Sequence, residues 1–534
     1  MQVSVGRRET WVRRLESPVW RGCVVLVAGA LPAFAFPEAN FAWFAYIALV
    51  PWMMLLRTAP TGRRALLDGW IGGLGFMLAV HQWLIPSLHV FIVVLGGFLG
   101  LLWAPWGWLV RMLLRGRPSV RRALAAVVVI PSGWLMIETV RSFDGLGGPW
   151  GLLGASQWDV PPALRLASVG GVWLVTLLVV AVNTALTVLL TVTSARAVGV
   201  AGLVGCAFAV SVAWVWAPLP GNAGHARIAV VQPGVIDGVE RRFVRSEELT
   251  RTLGGRSLDL VVWGESSVGR DLTLRPDLAD RLATLSRRVG APILVNMDAP
   301  GSDQAGRTGI FKSAVLVGPD GLTGDRYDKM RLVPFGEYIP MRDALGWATS
   351  VGKAASQDRR RGEHQVVMVL PVPGQGERLR IGPLICFESA FPDMSRQLVR
   401  DGAQLLVAQS STSTFQQSWA PEQHSTLAAL RAAETGRPTV HATLTGVSAV
   451  YGPEGTRVGP ELGTDRSTSA VYDVPLARGT TAFVDLGAWP LYGALAVLAA
   501  LCAFEGTRAL RRPGRGRQEP PAHTAHVSKE RPGR

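Results

Sequence analysis

The sequence predicts a multi-span α-helical membrane domain of about eight helices, joined to an α/β domain. Three observations predict this fold class. Eight apolar runs lie near the length of roughly 20 residues that crosses a bilayer. The long stretch at 218–482, between the seventh and eighth runs, alternates short β-rich segments with helical ones. Within it, a carboxylate, an ammonium and a thiol each end an apolar strand-like segment, as expected of a catalytic site.

Composition agrees with a membrane protein that carries a soluble part. Apolar residues make up 49% of the 534-residue chain and charged residues only 17%, a balance typical of spans mixed with a water-soluble region. The formal net charge is +15, but the arginines cluster beside apolar runs and in the tail. Because no basic stripe with interleaved aromatic residues is present, we predict no nucleic-acid partner.

The apolar runs define the predicted spans. The first run follows basic residues and resembles a signal peptide, but the later runs favour an uncleaved anchor. The predicted spans lie at about 20–36, 40–56, 66–86, 89–114, 122–140, 163–192, 197–217 and 483–507.

Arginine placement predicts the orientation in the cell (plasma) membrane. Arginines precede the first span, follow the eighth, and lie between spans two and three, four and five, and six and seven. By the positive-inside rule, both termini are cytoplasmic. The predicted organisation is a seven-span membrane domain at 1–217, an extracytoplasmic domain at 218–482, an eighth helix at 483–507 and a disordered basic cytoplasmic tail at 508–534.

The soluble stretch predicts a sheet covered by helices, because its strands alternate with helical crossovers. The predicted helices include Pro276 to Arg288 and Gln423 to Glu434. The predicted strands are Ile228 to Gln232, Leu258 to Trp263, Ile293 to Asn296, Ala314 to Val317, Leu379 to Phe387 and Leu405 to Ala408.

Cys386 is the strongest candidate nucleophile, because it is the only cysteine of the soluble stretch. Glu265 is placed to take a proton from its thiol and return it to a leaving group. Lys329, one of only four lysines in the chain, is placed to stabilise a thiolate and an oxyanion. Each residue alone also has an ordinary interpretation: a helix cap, a solvated cation and an apolar filler.

Three neighbours are candidate supporting residues. The backbone N–H of Phe387 is placed to complete an oxyanion hole. Glu337 and Glu388 are placed to position the lysine or the base. His424 lies in a helical segment, and we expect it to be structural rather than catalytic. We predict no metal and no cofactor.

These residues stand in motifs that resemble the nitrilase (carbon-nitrogen hydrolase) superfamily. The motifs are Trp-x-Glu-Ser at 263–266, Tyr-Asp-Lys-x-x-Leu-Val-Pro-Phe-Gly-Glu at 327–337 and Ile-Cys-Phe-Glu at 385–388. With spans on both sides, the chain resembles the apolipoprotein N-acyltransferase family, and segments 149–157 and 487–490 extend that resemblance. It implies an outward-facing αββα domain on eight helices.

The resemblance also implies a reaction and its partners. Glu265 is implied as general base, Lys329 as electrostatic stabiliser and Cys386 as nucleophile, with Glu337 and Glu388 assisting. The acyl donor is a membrane phospholipid, and the intermediate is a thioester. The acceptor is the α-amino group of a diacylglyceryl-cysteine at a lipoprotein N-terminus, so both substrates lie in the membrane bilayer.

The sequence departs from the family pattern at four places. Gly264 replaces a proline, Phe311-Lys312 replaces Tyr-Asn, and the segments 410–415 and 444–446 lack the usual asparagines, an aspartate and a tryptophan. An altered acyl or acceptor preference therefore stays open. Two other functions also stay open. A membrane-tethered nitrilase-type amidase would transfer the acyl group to water. A non-catalytic scaffold would bind lipoprotein precursors or envelope enzymes.

Overall fold

The computed structural model describes residues 17–303, 306–346, 358–370 and 379–510. Within these residues, an N-terminal helical region precedes an α/β domain, and a last long helix follows it. Residues 511–534 of the predicted disordered tail lie outside the described residues.

The apolar runs form helices that carry few charged residues. Arg21 and Arg64 both pair with buried Asp68, at 2.8 and 2.7 Å, so that carboxylate is neutralised among the helices. The helices of the N-terminal region are α1 Pro18–Ala30, α2 Val50–Arg57, α3 Gly62–Val80, α4 Ile85–Leu88, α5 Phe91–Gly100, α6 Trp103–Leu114, α7 Val120–Arg141, α8 Pro161–Thr191 and α9 Arg196–Trp216.

Among the described residues, five helices are long and apolar enough to cross a membrane, and the number rises to seven if each of two bent pairs is one span. The bent pairs, Gly62–Val80 with Gln82–Leu88 and Phe91–Gly100 with Trp103–Leu114, bend by 64° and 42°. The predicted span at 40–56 corresponds to the shorter apolar segment Ala42–Arg57. The chain is therefore a membrane protein, and the number of its crossings stays a prediction.

The predicted helix at 483–507 is broken near its start. A short helix, α15 (Ala482–Leu486), ends at Gly487, whose φ of 67° lies in the left-handed region. Helix α16 then begins afresh at Trp489, with Pro490 in its first turn, and runs to Leu510. The correction follows from glycine and proline chemistry, because glycine tolerates positive φ and proline suits a helix start.

The α/β domain contains two sheets. The first has the strand order β11-β1-β2-β3-β4-β5 and the second β10-β9-β8-β7-β6. Their strands are β1 Gly221–Gln232, β2 Leu260–Trp263, β3 Ile293–Ser302, β4 Thr308–Gly318, β5 Gly321–Asp328, β6 Met368–Leu370, β7 Leu379–Ile385, β8 Leu405–Ser410, β9 Thr439–Thr443, β10 Ala449–Tyr451 and β11 Thr468–Arg478.

The sheets face each other between two helical layers. Alternate residues of a strand point to opposite faces. Val262 packs in one core with Leu406 of the other sheet, whereas Val261 packs in a second core with Leu282 of a covering helix. This is the αββα architecture that the family resemblance implies. The remaining helices are α10 Val239–Arg251, α11 Pro276–Val289, α12 Arg342–Leu345, α13 Pro392–Arg400 and α14 Ala420–Thr435.

The strand pairing brings the candidate site together. Strand β2 ends two residues before Glu265, and strand β7 ends one residue before Cys386. Strand β2 is parallel to its neighbour β1, and β7 is parallel to its neighbour β8. The antiparallel hairpin β4–β5 returns the chain to the same edge of the sheet, and Lys329 directly follows β5 at that edge. The carboxyl ends of parallel strands are where active sites of open α/β sheets form.

Candidate active site

Glu265 lies in a tight turn directly after β2 and is 5% exposed. Its backbone N–H donates to the carbonyl of Ser410 at 3.1 Å, which ties the first sheet to the end of β8 in the second. The following residue, Ser266, has a φ of 56°, and its N–H donates to Asn296 Oδ1 at 2.8 Å. The carboxylate is thus held by a braced turn rather than by a flexible loop.

The glycine before Glu265 is required by the close approach of the two sheets. A Cβ at Gly264 would lie 2.0 Å from the backbone nitrogen of Leu444, a separation that real atoms do not reach. Two of the departures from the family pattern, at 264 and at 444–446, therefore lie against each other. The close contact of this backbone with Gly264 leaves no room for a side chain at position 264.

Lys312, another departure, braces the same turn. Its ammonium donates to the Ser266 hydroxyl at 2.5 Å and to Asp298 at 3.1 Å. Its carbonyl accepts the backbone N–H of Lys329 at 2.9 Å. This residue therefore links the turns that carry the candidate base and the candidate lysine, a connection that sequence reasoning missed.

Lys329 is fully buried and lies between two carboxylates. Its Nζ is 3.2 Å from Glu265 Oε1 and 2.9 Å from Glu337 Oε1. Burial alone lowers the pKa of a lysine, but the charges of Glu265 and Glu337 overcome that effect and hold the pKa of Lys329 well above its ordinary value. The residue is therefore a permanent cation at neutral pH.

Glu337 holds the loop that follows the lysine. One of its oxygens contacts Lys329, and the other accepts the backbone N–H of Val333 at 2.9 Å. The carboxylate therefore fixes the ammonium with respect to its own loop, which limits the positions that the lysine can take.

Glu388 is fully buried and organises backbone rather than the ammonium. Oε1 accepts the Tyr327 hydroxyl at 2.7 Å and the N–H groups of Met330 and Arg331 at 2.7 and 3.0 Å. Oε2 accepts the N–H of Ile385 at 2.7 Å. Burial raises the pKa of Glu388, and these donors oppose the rise. The residue joins the lysine loop to the turn that carries the cysteine.

Cys386 is not the end of a strand, which corrects the prediction that β7 runs to Phe387. Strand β7 ends at Ile385, and Cys386 begins a 3₁₀-helix that extends to Ala390. The reason is backbone conformation, because Cys386 has a φ of 54°, in the left-handed region that L-residues rarely adopt. This sharp turn leaves the side chain half-buried at the sheet edge.

The thiol is protonated in the resting protein. Burial raises the pKa of Cys386 to about 12, and the negative charges of Glu265 and Glu337 add to the rise, while Lys329 and Ser410 oppose it. A thiol with this pKa is a poor nucleophile unless a base removes its proton. Glu265, whose charge acts on this thiol, stays the predicted base.

A polar network lies behind the cysteine. His424, 2% exposed, has Nε2 at 3.0 Å from the Cys386 carbonyl and Nδ1 at 3.0 Å from the Ser410 hydroxyl. Ser389 Oγ also donates to the Cys386 carbonyl at 3.0 Å. Burial lowers the pKa of His424 to about 4, so its ring is neutral. The histidine that was expected to be structural thus contacts the backbone of the candidate nucleophile.

The membrane region reaches the cysteine turn directly. Trp150, which follows α7, donates to Gln423 at 2.9 Å, and its ring lies 5.3 Å from that of His424. A Cβ at Gly148 would lie 2.4 Å from the ring of Phe387, so that loop packs tightly on the turn. Phe387 itself is buried, and the role of its N–H stays a prediction.

An ion pair makes a second contact between the two regions. Arg331, in the lysine loop, pairs with Asp144 of the membrane region and with Asp393 at 2.8 Å. Its guanidinium also stacks on the ring of Phe391 at 4.8 Å. The sequence contains no local signal for this pairing, because Asp144 and Arg331 are far apart along the chain.

The two altered segments bond to each other beside the site. Thr412 donates its N–H and its hydroxyl to the carbonyl of Thr445, at 2.8 and 3.0 Å. The ring of Phe415 lies 4.9 Å from that of Trp83 in the membrane region. These contacts hold the segment 410–415 against the segment 444–446 and against the membrane region.

Known protein families match both the N-terminal helical region and the α/β domain. Residues 28–185 match the domain described as apolipoprotein N-acyltransferase N-terminal domain, and residues 227–482 match carbon-nitrogen hydrolase. An apolipoprotein N-acyltransferase of Geobacter metallireducens is 29% identical over 90% of this chain and 94% of that protein. One of Ralstonia nicotianae is 30% identical over 89% of this chain and 91% of that protein.

Among solved structures, an amidase from Nesterenkonia sp. is 19% identical, covers 48% of this chain and 93% of its own, and superimposes with a TM-score of 0.32. The relatives, by contrast, align over nearly the whole chain at about the same length. On the strength of these matches, the chain belongs to the apolipoprotein N-acyltransferase family, with a carbon-nitrogen hydrolase domain after its membrane helices.

Proposed function

We propose that the protein transfers a fatty acyl chain from a membrane phospholipid, through a thioester on Cys386, to the α-amino group of the diacylglyceryl-cysteine of apolipoproteins. The observation that carries the proposal is the cluster in which Lys329 contacts both Glu265 and Glu337 beside the protonated thiol. The family relatives, named apolipoprotein N-acyltransferase, support the acceptor class.

In the first half-reaction, Glu265 takes the thiol proton while the sulfur of Cys386 attacks the ester carbonyl of the phospholipid. The ammonium of Lys329 and the N–H of Phe387 stabilise the oxyanion that forms. The C–O bond then breaks, and Glu265 returns the proton to the oxygen of the departing lysophospholipid. The acyl chain remains on sulfur as a thioester.

In the second half-reaction, the free α-amino group of the acceptor attacks the thioester carbonyl, and Glu265 accepts a proton from the nitrogen. The C–S bond breaks, and the thiolate of Cys386 regains a proton from Glu265. An amide has formed and the site is restored. Glu337 and Glu388 assist by holding the ammonium and the two loops in place.

The contact between the two regions suits substrates that stay in the bilayer. The membrane region touches the cysteine turn through Gly148 and Trp150. An ester at the membrane surface can therefore reach the thiol while its acyl tails remain in lipid. We propose that residues 1–217 and 483–507 form the membrane domain, that 218–482 is extracytoplasmic, and that the termini, with the tail 508–534, are cytoplasmic.

The test is intact-mass detection of an acyl adduct on purified protein mixed with phospholipid, with Cys386→Ala as control. A mass gain of one acyl group, absent in the variant and removed by hydroxylamine, supports the proposal. Adding a diacylglyceryl-cysteine peptide must then discharge the adduct onto the peptide amine. Release of free fatty acid instead identifies an amidase-type hydrolase, and absence of any adduct favours a scaffold.

A further inference from the structure

We infer that Ser410 is a further catalytic residue, whose hydroxyl donates a hydrogen bond to the sulfur of Cys386 as the thiolate forms. His424 is its positioning residue, because it holds that hydroxyl in place in the resting protein. The inference rests on the proposed role of Cys386 as nucleophile. It concerns Ser410, which opens one of the two segments that depart from the family pattern.

The hydrogen bonds of His424 define its tautomer. The carbonyl of Cys386 can only accept a hydrogen bond, so the Nε2 atom 3.0 Å away carries the proton. In a neutral imidazole the other nitrogen is then an acceptor. The Ser410 hydroxyl, 3.0 Å from Nδ1, must therefore donate to it. The proton of Ser410 is thus held at a defined position beside the nucleophile.

Ser410 also joins the other parts of the site. It is fully buried at the end of β8 and is adjacent to Cys386, because Gln409 pairs with Ile385 in the parallel register of β7 and β8. Its carbonyl accepts the N–H of Glu265 at 3.1 Å. The side chain of Ser410 acts to lower the pKa of the Cys386 thiol.

The two partners of the hydroxyl compete for one proton. While Cys386 is a thiol, the Ser410 hydroxyl donates to His424. When Glu265 removes the thiol proton, the hydroxyl turns about its C–O bond and donates to the anionic sulfur, and it keeps its own proton throughout. A hydrogen bond to a charged acceptor is stronger than one to a neutral acceptor, so the hydroxyl rotates toward the sulfur once the sulfur is negatively charged.

The ammonium of Lys329 does not replace this donor, because it is already shared between Glu265 and Glu337. Those three groups, from the ends of β2 and β5 and from the loop after β5, carry charges that act on the sulfur, and His424 of α14 contacts the backbone carbonyl of the same cysteine. Ser410 is the neutral donor in this set, so its loss leaves the charges unchanged.

The test is the rate at which iodoacetamide alkylates Cys386 in the full-length protein in detergent, from pH 7.5 to 10. Peptide mass spectrometry separates Cys386 from Cys23, Cys206 and Cys502. We expect Ser410→Ala to react about tenfold more slowly at each pH, equivalent to a rise of about one unit in the thiol pKa. The matched control is Ser411→Ala, whose hydroxyl contacts Thr445 and which should react like wild type.

Equal rates for the two serine variants overturn the inference and leave the acyltransferase proposal intact. A wild-type Cys386 that does not react at any pH overturns both, because no activated sulfur would then exist to be stabilised. Slower alkylation of Cys386 in Ser410→Ala, with an unchanged melting temperature, supports the inference. Loss of a purely structural serine would not lower the reactivity of the thiol without also lowering the melting temperature.

The positioning role of His424 is tested with two substitutions. Glutamine can place its Nε2 where the imidazole Nε2 donates to the Cys386 carbonyl, whereas phenylalanine cannot donate. We expect His424→Phe to lower kcat for acyl transfer at least tenfold with little change in KM, and His424→Gln to recover most of it. Equal losses in both variants, or none in either, overturn this role.

Discussion

Replacing Lys329 with methionine tests whether the ammonium holds the site together as well as serving the chemistry. Methionine is similar in length and apolar, so it fills the space without the charge. It would leave Glu265 and Glu337 buried and facing each other without a cation between them. Removing one partner of a buried ion pair costs about 3–5 kcal/mol in protein stability.

The magnitude follows from the geometry of the pair. The side chain of Lys329 is 1% exposed and those of Glu265 and Glu337 are 6% and 12% exposed, so water cannot replace the lost contacts. For a domain of this size, each kcal/mol corresponds to about 2–4 °C in melting temperature, so the variant is expected to melt about 6–20 °C lower. Thermal unfolding in detergent, followed by tryptophan fluorescence, measures this.

Two further variants make the result specific. Lys329→Met combined with Glu337→Gln should regain at least half of the lost stability, because one uncompensated charge is removed. Arg245→Met breaks an exposed pair with Glu248 and should cost less than about 1 kcal/mol. If Lys329→Met melts as close to wild type as Arg245→Met does, the ammonium is not a structural tie and the reasoning is refuted.

The pH dependence of this effect has a defined sign. The pKa of Lys329 is raised in the folded protein, so its contribution is complete below the unfolded value of about 10.4 and is lost only as the pH rises through the higher folded value. The contribution of the lysine charge to the stability of the wild-type protein should therefore be complete throughout pH 7 to 9. A stability difference between wild type and Lys329→Met that disappears within this range would contradict the assigned pairing.

Three other changes have defined outcomes. Glu388→Gln replaces one accepting carboxylate oxygen with an NH₂ group, which cannot accept the backbone N–H groups that the carboxylate binds. We expect the variant to lose about 1–3 kcal/mol of stability, measured by thermal unfolding. Gly264→Ala forces a Cβ onto the Leu444 nitrogen, so we expect a loss of about 1–3 kcal/mol and more than tenfold lower thioester formation. Glu265→Gln removes a charge that raises the pKa of Cys386, so alkylation at pH 9 should accelerate while thioester formation falls.

Each of these outcomes has a contrary result. Wild-type stability of Glu388→Gln would mean that its carboxylate does not bridge the two loops. Full activity of Gly264→Ala would mean that the sheets can separate at this point without disturbing the base. Parallel losses of alkylation and thioester formation in Glu265→Gln would mean that this carboxylate does not raise the thiol pKa.

The fold class and the elements of the site were predictable from local sequence. Apolar run length predicts membrane helices, since a bilayer sets the number of residues needed to cross it. The motif at 327–337 predicts a lysine and a glutamate that act together, and the structure places Lys329 in contact with Glu337. These features depend on residues that are close along the chain.

Other features depended on contacts that no local pattern contains. The conformation of Cys386, with its φ of 54°, arises where β7 meets the loops held by Glu388, so the sequence suggested a longer strand. The pattern of hydrophobic residues alone therefore did not show where strand β7 ends.

The sequence by itself determined the membrane helices, the alternation of strands and helices in the α/β domain and the chemical types of the site residues, because periodicity and residue chemistry act locally. Only the tertiary structure decided which groups meet. The pairing of Arg331 with Asp144, the contact of Gly264 with Leu444 and the hydrogen bond of His424 to the Cys386 carbonyl join distant segments. Such contacts are set by how two sheets and a helical region pack together, and packing is a property of the whole chain.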